Sequence, residues 1–362
     1  MTKFDSLLFY LSIYILSAFF LSISKKEKNR KIDFWFLVAV MLPVLLAAFR
    51  DNVGSDFENY LWMYKGQSNI SFSQWLWDSG TYIDGTPLGI WLVSRIAFFF
   101  ESQEVYFGLL ALLIIVPIFL FIKNEISRES CFLSAFIFLT GTFSTGLNIT
   151  KQCIALAFVI YGTRYVFERK LIKYIFCVSV AYCFHPSAIV AVFIYFFQKK
   201  EFEGFSFKRF FLILLSIAFA FSISFILENI GGRFASYSST VRTEFNNKSF
   251  YLDLIWLCLF FLFKRNYQKV NQKNELFITL FFIGCIMTIT GFMSPYIKRI
   301  ALYYAFFGDF LIAQTPVLLP KKEQMTMKII IFAYVMFVFT YSFYVLGHSD
   351  IIPYKFVSGS VI

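Results

Sequence analysis

LLFYLSIYILSAFFL (Leu7–Leu21) runs straight into SISKKEKNRK (Ser22–Lys31). A single lysine, Lys3, precedes the apolar run, and Lys25, Lys26, Lys28, Arg30 and Lys31 follow it. A secretion signal carries its charge in front. The reversed order predicts a first transmembrane helix that starts outside and ends at the cytoplasm, where insertion retains Lys and Arg. The same alternation of apolar run and basic loop recurs to the end of the chain.

Working outward, stretches 5–23, 32–49, 105–122, 130–147, 150–167, 208–228, 250–263, 275–293, 299–319 and 327–346 read as spans. A crossing takes about 20 apolar residues. Basic residues decide two ambiguous regions, 86–100 and 171–198. Lys123 and Arg128 belong inside, so 86–122 crosses once, through 105–122. That leaves 86–100, with Thr86-Pro87-Leu88-Gly89 and Arg95, as an interfacial or re-entrant segment. Region 171–198 has inside charges at both ends, Arg169 and Lys170 before it and Lys199 and Lys200 after it. It therefore crosses twice or not at all. Two short helices turning at Phe184-His185-Pro186-Ser187 are one reading, because Pro186 removes a helical hydrogen bond. One long tilted helix is the other.

The expected fold is an all-α polytopic integral membrane protein. It has about twelve transmembrane helices plus one interfacial or re-entrant segment (86–100), in a single transmembrane domain over 1–362. Both termini are expected outside, and the largest outer loops are 50–85 and 229–249.

Composition agrees. Of 362 residues, 59% are hydrophobic and 15% charged, where a soluble chain carries about 25% charged. The net charge of +11 has its explanation in cytoplasmic loops facing anionic lipid, so nucleic acid is not an implied partner. All six cysteines lie in apolar runs without a Cys-x-x-Cys pair, and are expected to be reduced thiols. Two histidines, His185 and His348, exclude a multi-histidine metal site by count. No metal or cofactor is expected.

The threading gathers unusual polar residues at the outer face, where ionisable groups suggest a site. In Phe49-Arg50-Asp51-Asn52-Val53-Gly54-Ser55-Asp56, Gly54 permits a tight turn, and Asp56 and Tyr60 share a helical face. Arg50 is open to two readings, helix-end snorkelling and ligand contact. In Asn148-Ile149-Thr150-Lys151-Gln152, Asn148 is expected to cap the next helix. Lys151 sits in its first turn, against the helix dipole; a bound anion would explain it. His185 reads either as a helix-terminal residue with one backbone bond or as a general base. Lys298 and Arg299 oppose the positive-inside trend; snorkelling beside Tyr296 and Tyr303 or phosphate binding would each account for them. Arg233 and Arg242 are lid or solvated cations.

Taken in order, Arg50, Gly54, Asp56 and Tyr60, then Asn148-x-x-Lys151-Gln152, then Phe184-His185-Pro186-Ser187, then Arg299 and Tyr303, then Pro353-Tyr354, the chain resembles the EpsG-like, Wzy-type polysaccharide polymerases. It departs from them in having Lys151 where arginine is common, which keeps the charge but loses the bidentate fork. It also has Thr86-Pro87 where Glu-Pro is common, so no catalytic acid is assigned there.

The resemblance implies transfer of an undecaprenyl-pyrophosphate-linked glycan to the non-reducing end of another lipid-linked repeat unit, at the periplasmic face of the bacterial inner membrane. It implies a metal-independent glycosyltransferase, with lipid-linked oligosaccharide and membrane lipids as partners and a chain-length regulator as a further candidate. His185 would activate the acceptor hydroxyl. Arg50, Lys151, Arg299, Arg233 and Arg242 would hold pyrophosphate, and Asp56, Tyr60, Asn148, Gln152 and Tyr303 would orient sugars. The rivals are a lipid-linked oligosaccharide flippase or other transporter, an O-antigen ligase and a membrane O-acyltransferase. A transporter would place polar residues near the midplane; concentration at one surface favours the enzyme.

Overall fold

A computed structural model describes residues 1–24, 32–67, 69–78, 86–198, 248–290 and 295–357, with scattered positions between 211 and 222. The described residues are overwhelmingly helical, with one isolated bridge, Arg50 to Phe356, as their only β pairing. Four described helices are long and apolar enough to cross a membrane: Lys3–Ser24, Gln103–Glu125, Ile297–Leu318 and Lys321–Val345. Shorter apolar helices pack among them, including Phe34–Ala48, Leu171–Phe184 and Asn274–Ile289.

Local chemistry starts and shapes these helices. α1 (Lys3–Ser24) is followed by α2 (Phe34–Ala48), which Asp33 caps by accepting the Phe36 N–H at 2.8 Å. Among the next helices, α3 (Phe57–Gln67), α4 (Phe72–Asp78), α5 (Leu88–Phe98) and α6 (Gln103–Glu125), Ser102 caps α6 through the Val105 N–H. Large side chains such as Phe19, Phe176 and Phe337 project outward, as lipid-facing residues do.

The bundle has two distinct ends. At one, Lys123 of α6 meets Asp33 at 2.5 Å, and Ser24 closes the contact. There too Lys273 pairs with Glu125 and lies over the Phe167 ring. This is the end at which the basic loops were expected to gather.

At the opposite end the irregular C-terminal segment straps the first two helices. Tyr354 donates to Leu46 O at 2.8 Å, and Asp51 N–H to Lys355 O at 2.9 Å. Gly54, at φ 96°, donates its N–H to Asp350 O at 3.1 Å. A Cβ there would sit 3.2 Å from Leu147 O, so the turn needs glycine for both angle and space.

Region 171–198 is a broken pair, not one tilted helix. After α7 (Cys131–Phe138) and α8 (Thr150–Phe167), α9 (Leu171–Phe184) stops at His185. A 3₁₀ segment, Pro186–Phe193, then leads into α10 (Ile194–Phe197). The arms fold back on each other: Arg169 bonds to Gln198 O, and the Tyr174 hydroxyl donates to Ala191 O at 2.5 Å. The tighter 3₁₀ winding rises about 2.0 Å per residue, so twelve residues reach about as far as the fourteen of α9, roughly 21 Å.

α5 has 11 residues, about 16 Å, too short to cross. It leans on α9, where a Cβ on Gly89 would meet the Phe184 ring at 2.5 Å. Its end leaves Phe99 81% exposed, an apolar tip suited to the interface. The remaining helices are α11 (Lys248–Leu262), α12 (Lys264–Val270), α13 (Asn274–Thr290), α14 (Pro295–Ala305), α15 (Phe307–Gln314) and α16 (Lys321–Phe339).

Candidate functional site

Hydrogen bonds join the distant polar segments at the strapped end. The Arg50 guanidinium donates to Leu147 O at 2.6 Å and lies over the rings of Phe57 and Phe107. Asn148 Oδ1 accepts from Asp56 N–H at 2.6 Å and from the Ser55 hydroxyl at 3.0 Å. The Tyr60 hydroxyl accepts the Lys151 N–H at 3.1 Å. The Gln152 amide donates to Arg299 O at 2.6 Å, docking α8 onto α14. Tyr304 of α14 donates to Val190 O at 2.7 Å, which brings the His185 hairpin to the same place.

His185 occupies the turn between α9 and the 3₁₀ arm. Its Nδ1 lies 2.6 Å from Ser187 Oγ, which lies 3.1 Å from the buried Tyr303 hydroxyl. With Nδ1 so engaged, Nε2 is the nitrogen left for a substrate. Burial above all, then the charges of Lys151 and Arg299, push the imidazole down from 6.5 to about 3. The ring is therefore neutral at physiological pH. The three groups lie close enough for their charges to interact, as one shared site requires.

Inside this cluster two buried polar atoms, Arg50 Nε and Gln152 Oε1, have no hydrogen-bond partner. An orphaned buried polar atom costs about 1–3 kcal/mol, so its persistence fits a site that takes a polar ligand.

Two sequence readings need correction. Asn148 does not cap α8; the residue before that helix is Ile149, which supplies no side-chain cap. Its carbonyl oxygen instead holds the 55–56 turn, because that turn presents N–H and O–H donors to it. Arg50 does not snorkel: it is 2% exposed, committed to a carbonyl and two rings. It fixes the backbone at Leu147, just before Asn148 and Lys151.

Arg233 and Arg242, with loop 229–249, lie outside the described residues. Sequence reasoning assigns no role to Ser187 or to the strap from Ser349 to Tyr354, yet they tie the site together. Nor do polar residues gather only at one end. Asp253 and Asp309 sit inside apolar helices and share a cavity. A lone acid within each span was the available signal.

The fold and this end-face cluster define a multi-pass helical membrane protein with a built polar site. The chain belongs to the EpsG family, whose family model matches residues 33–356. That family consists of polysaccharide-polymerase-like membrane proteins. No curated protein and no solved structure matches the chain.

Proposed function

We propose that this protein polymerises a bacterial surface polysaccharide, transferring an undecaprenyl-pyrophosphate-linked glycan to the non-reducing end of a lipid-linked repeat unit. The reading takes the strapped end as the outer face of the inner membrane, with about twelve crossings in a single domain. The observation that carries it is the docking of the three segments that bear His185, Lys151 and Arg299, through the Gln152–Arg299, Ser187–Tyr303 and Tyr304–Val190 hydrogen bonds.

His185 Nε2 takes the proton of the acceptor hydroxyl as its oxygen bonds to the donor's anomeric carbon. The bond from that carbon to the pyrophosphate oxygen breaks, and Lys151 and Arg299 hold the departing lipid pyrophosphate. In the free site burial above all, and those cations in addition, suppress the base. A pyrophosphate between them cancels the cations' share and makes His185 a stronger base. Donor binding and base strength are thus linked, which limits idle proton transfer before the donor arrives. Arg50 positions the Leu147–Lys151 segment. Tyr60, Asn148 and Gln152 lock the loops, with Asp56 at their rim, and Tyr303 with Ser187 orients the imidazole.

Replacement of His185 by alanine should abolish long glycan on a gel while single-repeat surface glycan remains. Long polymer at normal expression would remove His185 from the mechanism. Total loss of surface glycan would point instead to a flippase or ligase. Lys151→Arg should keep polymer and Lys151→Gln should lose it, if charge is what Lys151 supplies.

A further inference from the structure

The bundle holds a second chamber, lined by residues outside the cation cluster. Its volume is about 320 Å³, at the small end of the range of about 300–1,000 Å³ for small-molecule pockets. Asp253, Trp256, Asp309, Tyr334, Thr145 and Ser349 are among the residues that line it. Two of its walls are helix segments wound as π turns, Leu139–Phe143 and Thr340–Val345. Such turns are uncommon and concentrate at functional sites. Hydrogen bonds link its lining to the first site. The Ser349 carbonyl accepts the Ser55 N–H at 3.2 Å, and Ser55 donates to Asn148, three residues beyond Thr145.

The acids are its most telling feature. Asp309 lies midway along the apolar helix Ile297–Leu318 and is close enough to Asp253 for their charges to interact. Neither carboxylate has a hydrogen-bond or ion-pair partner among the described residues. Two carboxylates without a partner among the described residues, inside a membrane helix bundle, are costly and call for a ligand. His348 also lines the chamber, but no three His, Cys, Asp or Glu among the described residues are grouped to hold a metal ion, so the donor set is poor for a divalent metal. The chamber is also far larger than one ion. Carboxylates, hydroxyls from Thr145, Tyr334 and Ser349, and the flat face of Trp256 suit a ring bearing hydroxyl or ammonium donors.

We infer that this chamber receives one sugar ring of the lipid-linked glycan, a neutral sugar or an amino sugar, and rejects uronic, sialic and phosphorylated sugars. The inference rests on the polymerase reading above. Carboxyl oxygens accept from hydroxyl and ammonium donors and disfavour a further carboxylate or phosphate, so the acid chamber and the cation cluster sort the two ends of the substrate. The pyrophosphate end is drawn to Lys151 and Arg299, and the sugar end to Asp253 and Asp309.

The test is saturation-transfer NMR on the full chain in nanodiscs, with the methyl glycosides of glucose, glucosamine and glucuronic acid as probes. The first two should receive saturation and the glucuronide should not. In the double variant Asp253→Asn, Asp309→Asn, glucosaminide binding should weaken about tenfold or more while the glucuronide gains access. Trp256→Leu should weaken both binding glycosides. Equal signals from all three probes, no signal from any, or a preference unchanged by the double variant would overturn the inference. So would a sodium-dependent stability lost in that variant without sugar selectivity, which would make the chamber a cation site. The two readings fail separately. Sugar selectivity together with long polymer in His185→Ala would sink only the polymerase mechanism; polymer loss there without sugar selectivity would sink only the chamber.

Discussion

Removing the charge at Lys151 should make His185 easier to protonate, by an amount the structure bounds. Lowering the imidazole from 6.5 to about 3 means that a charged ring costs about 5 kcal/mol more here than in water, at about 1.36 kcal/mol per pH unit. Burial is the largest cause, Lys151 the next and Arg299 the third. One nearby charge moves a titration by about 1–3 pH units, and Lys151, second to burial, is assigned the low end, about one unit or 1.4 kcal/mol. The titration in Lys151→Gln should therefore centre about one pH unit above that of the parent, and Arg299→Gln should act in the same direction. The chain has two histidines, so nitrogen-15 NMR of histidine-labelled protein gives two pairs of ring resonances, and His348→Gln assigns them. Saturating inorganic pyrophosphate should lift the His185 titration further, toward 6.5, as anion charge cancels the cations. The sign carries over to folding. The unfolded chain binds the proton near 6.5 and the folded one only near 3, so this group costs stability progressively as pH falls between those values. His185 titrating near 6.5 in the free parent, or unmoved by both substitutions and by pyrophosphate, would refute the shared site.

Two further outcomes test the scaffold. Lys123→Met strands the Asp33 carboxylate, whose side chain is 4% exposed, and should cost about 3–5 kcal/mol in thermal unfolding. Adding Asp33→Asn should recover most of that, since Asn still caps α2; equal losses in the single and double variants would refute the pairing. Gly284→Ala places a Cβ 2.5 Å from the Ala305 backbone nitrogen and should lower stability by about 1–3 kcal/mol, whereas Gly66→Ala, with nothing within 4 Å, should be silent. A silent Gly284→Ala in the same melting assay would show that α13 and α14 are not in close contact.

The sequence by itself determined the membrane character and the short α5. Each is a local free energy of transfer, read from consecutive residues: an apolar run, a segment too short to span. It also located the break at His185-Pro186, because proline acts on its own helix. Only the tertiary structure decided whether that region is one helix or two, through Tyr174 meeting Ala191. Packing likewise moved Asn148 from cap to cross-link, buried Arg50, and brought Ser187 to Tyr303. It also set Asp253 against Asp309, from helices whose sequences show each only as an isolated acid. Such meetings depend on how helices rotate and pack against one another. No local pattern encodes that rotation when nearly every face of every helix is apolar.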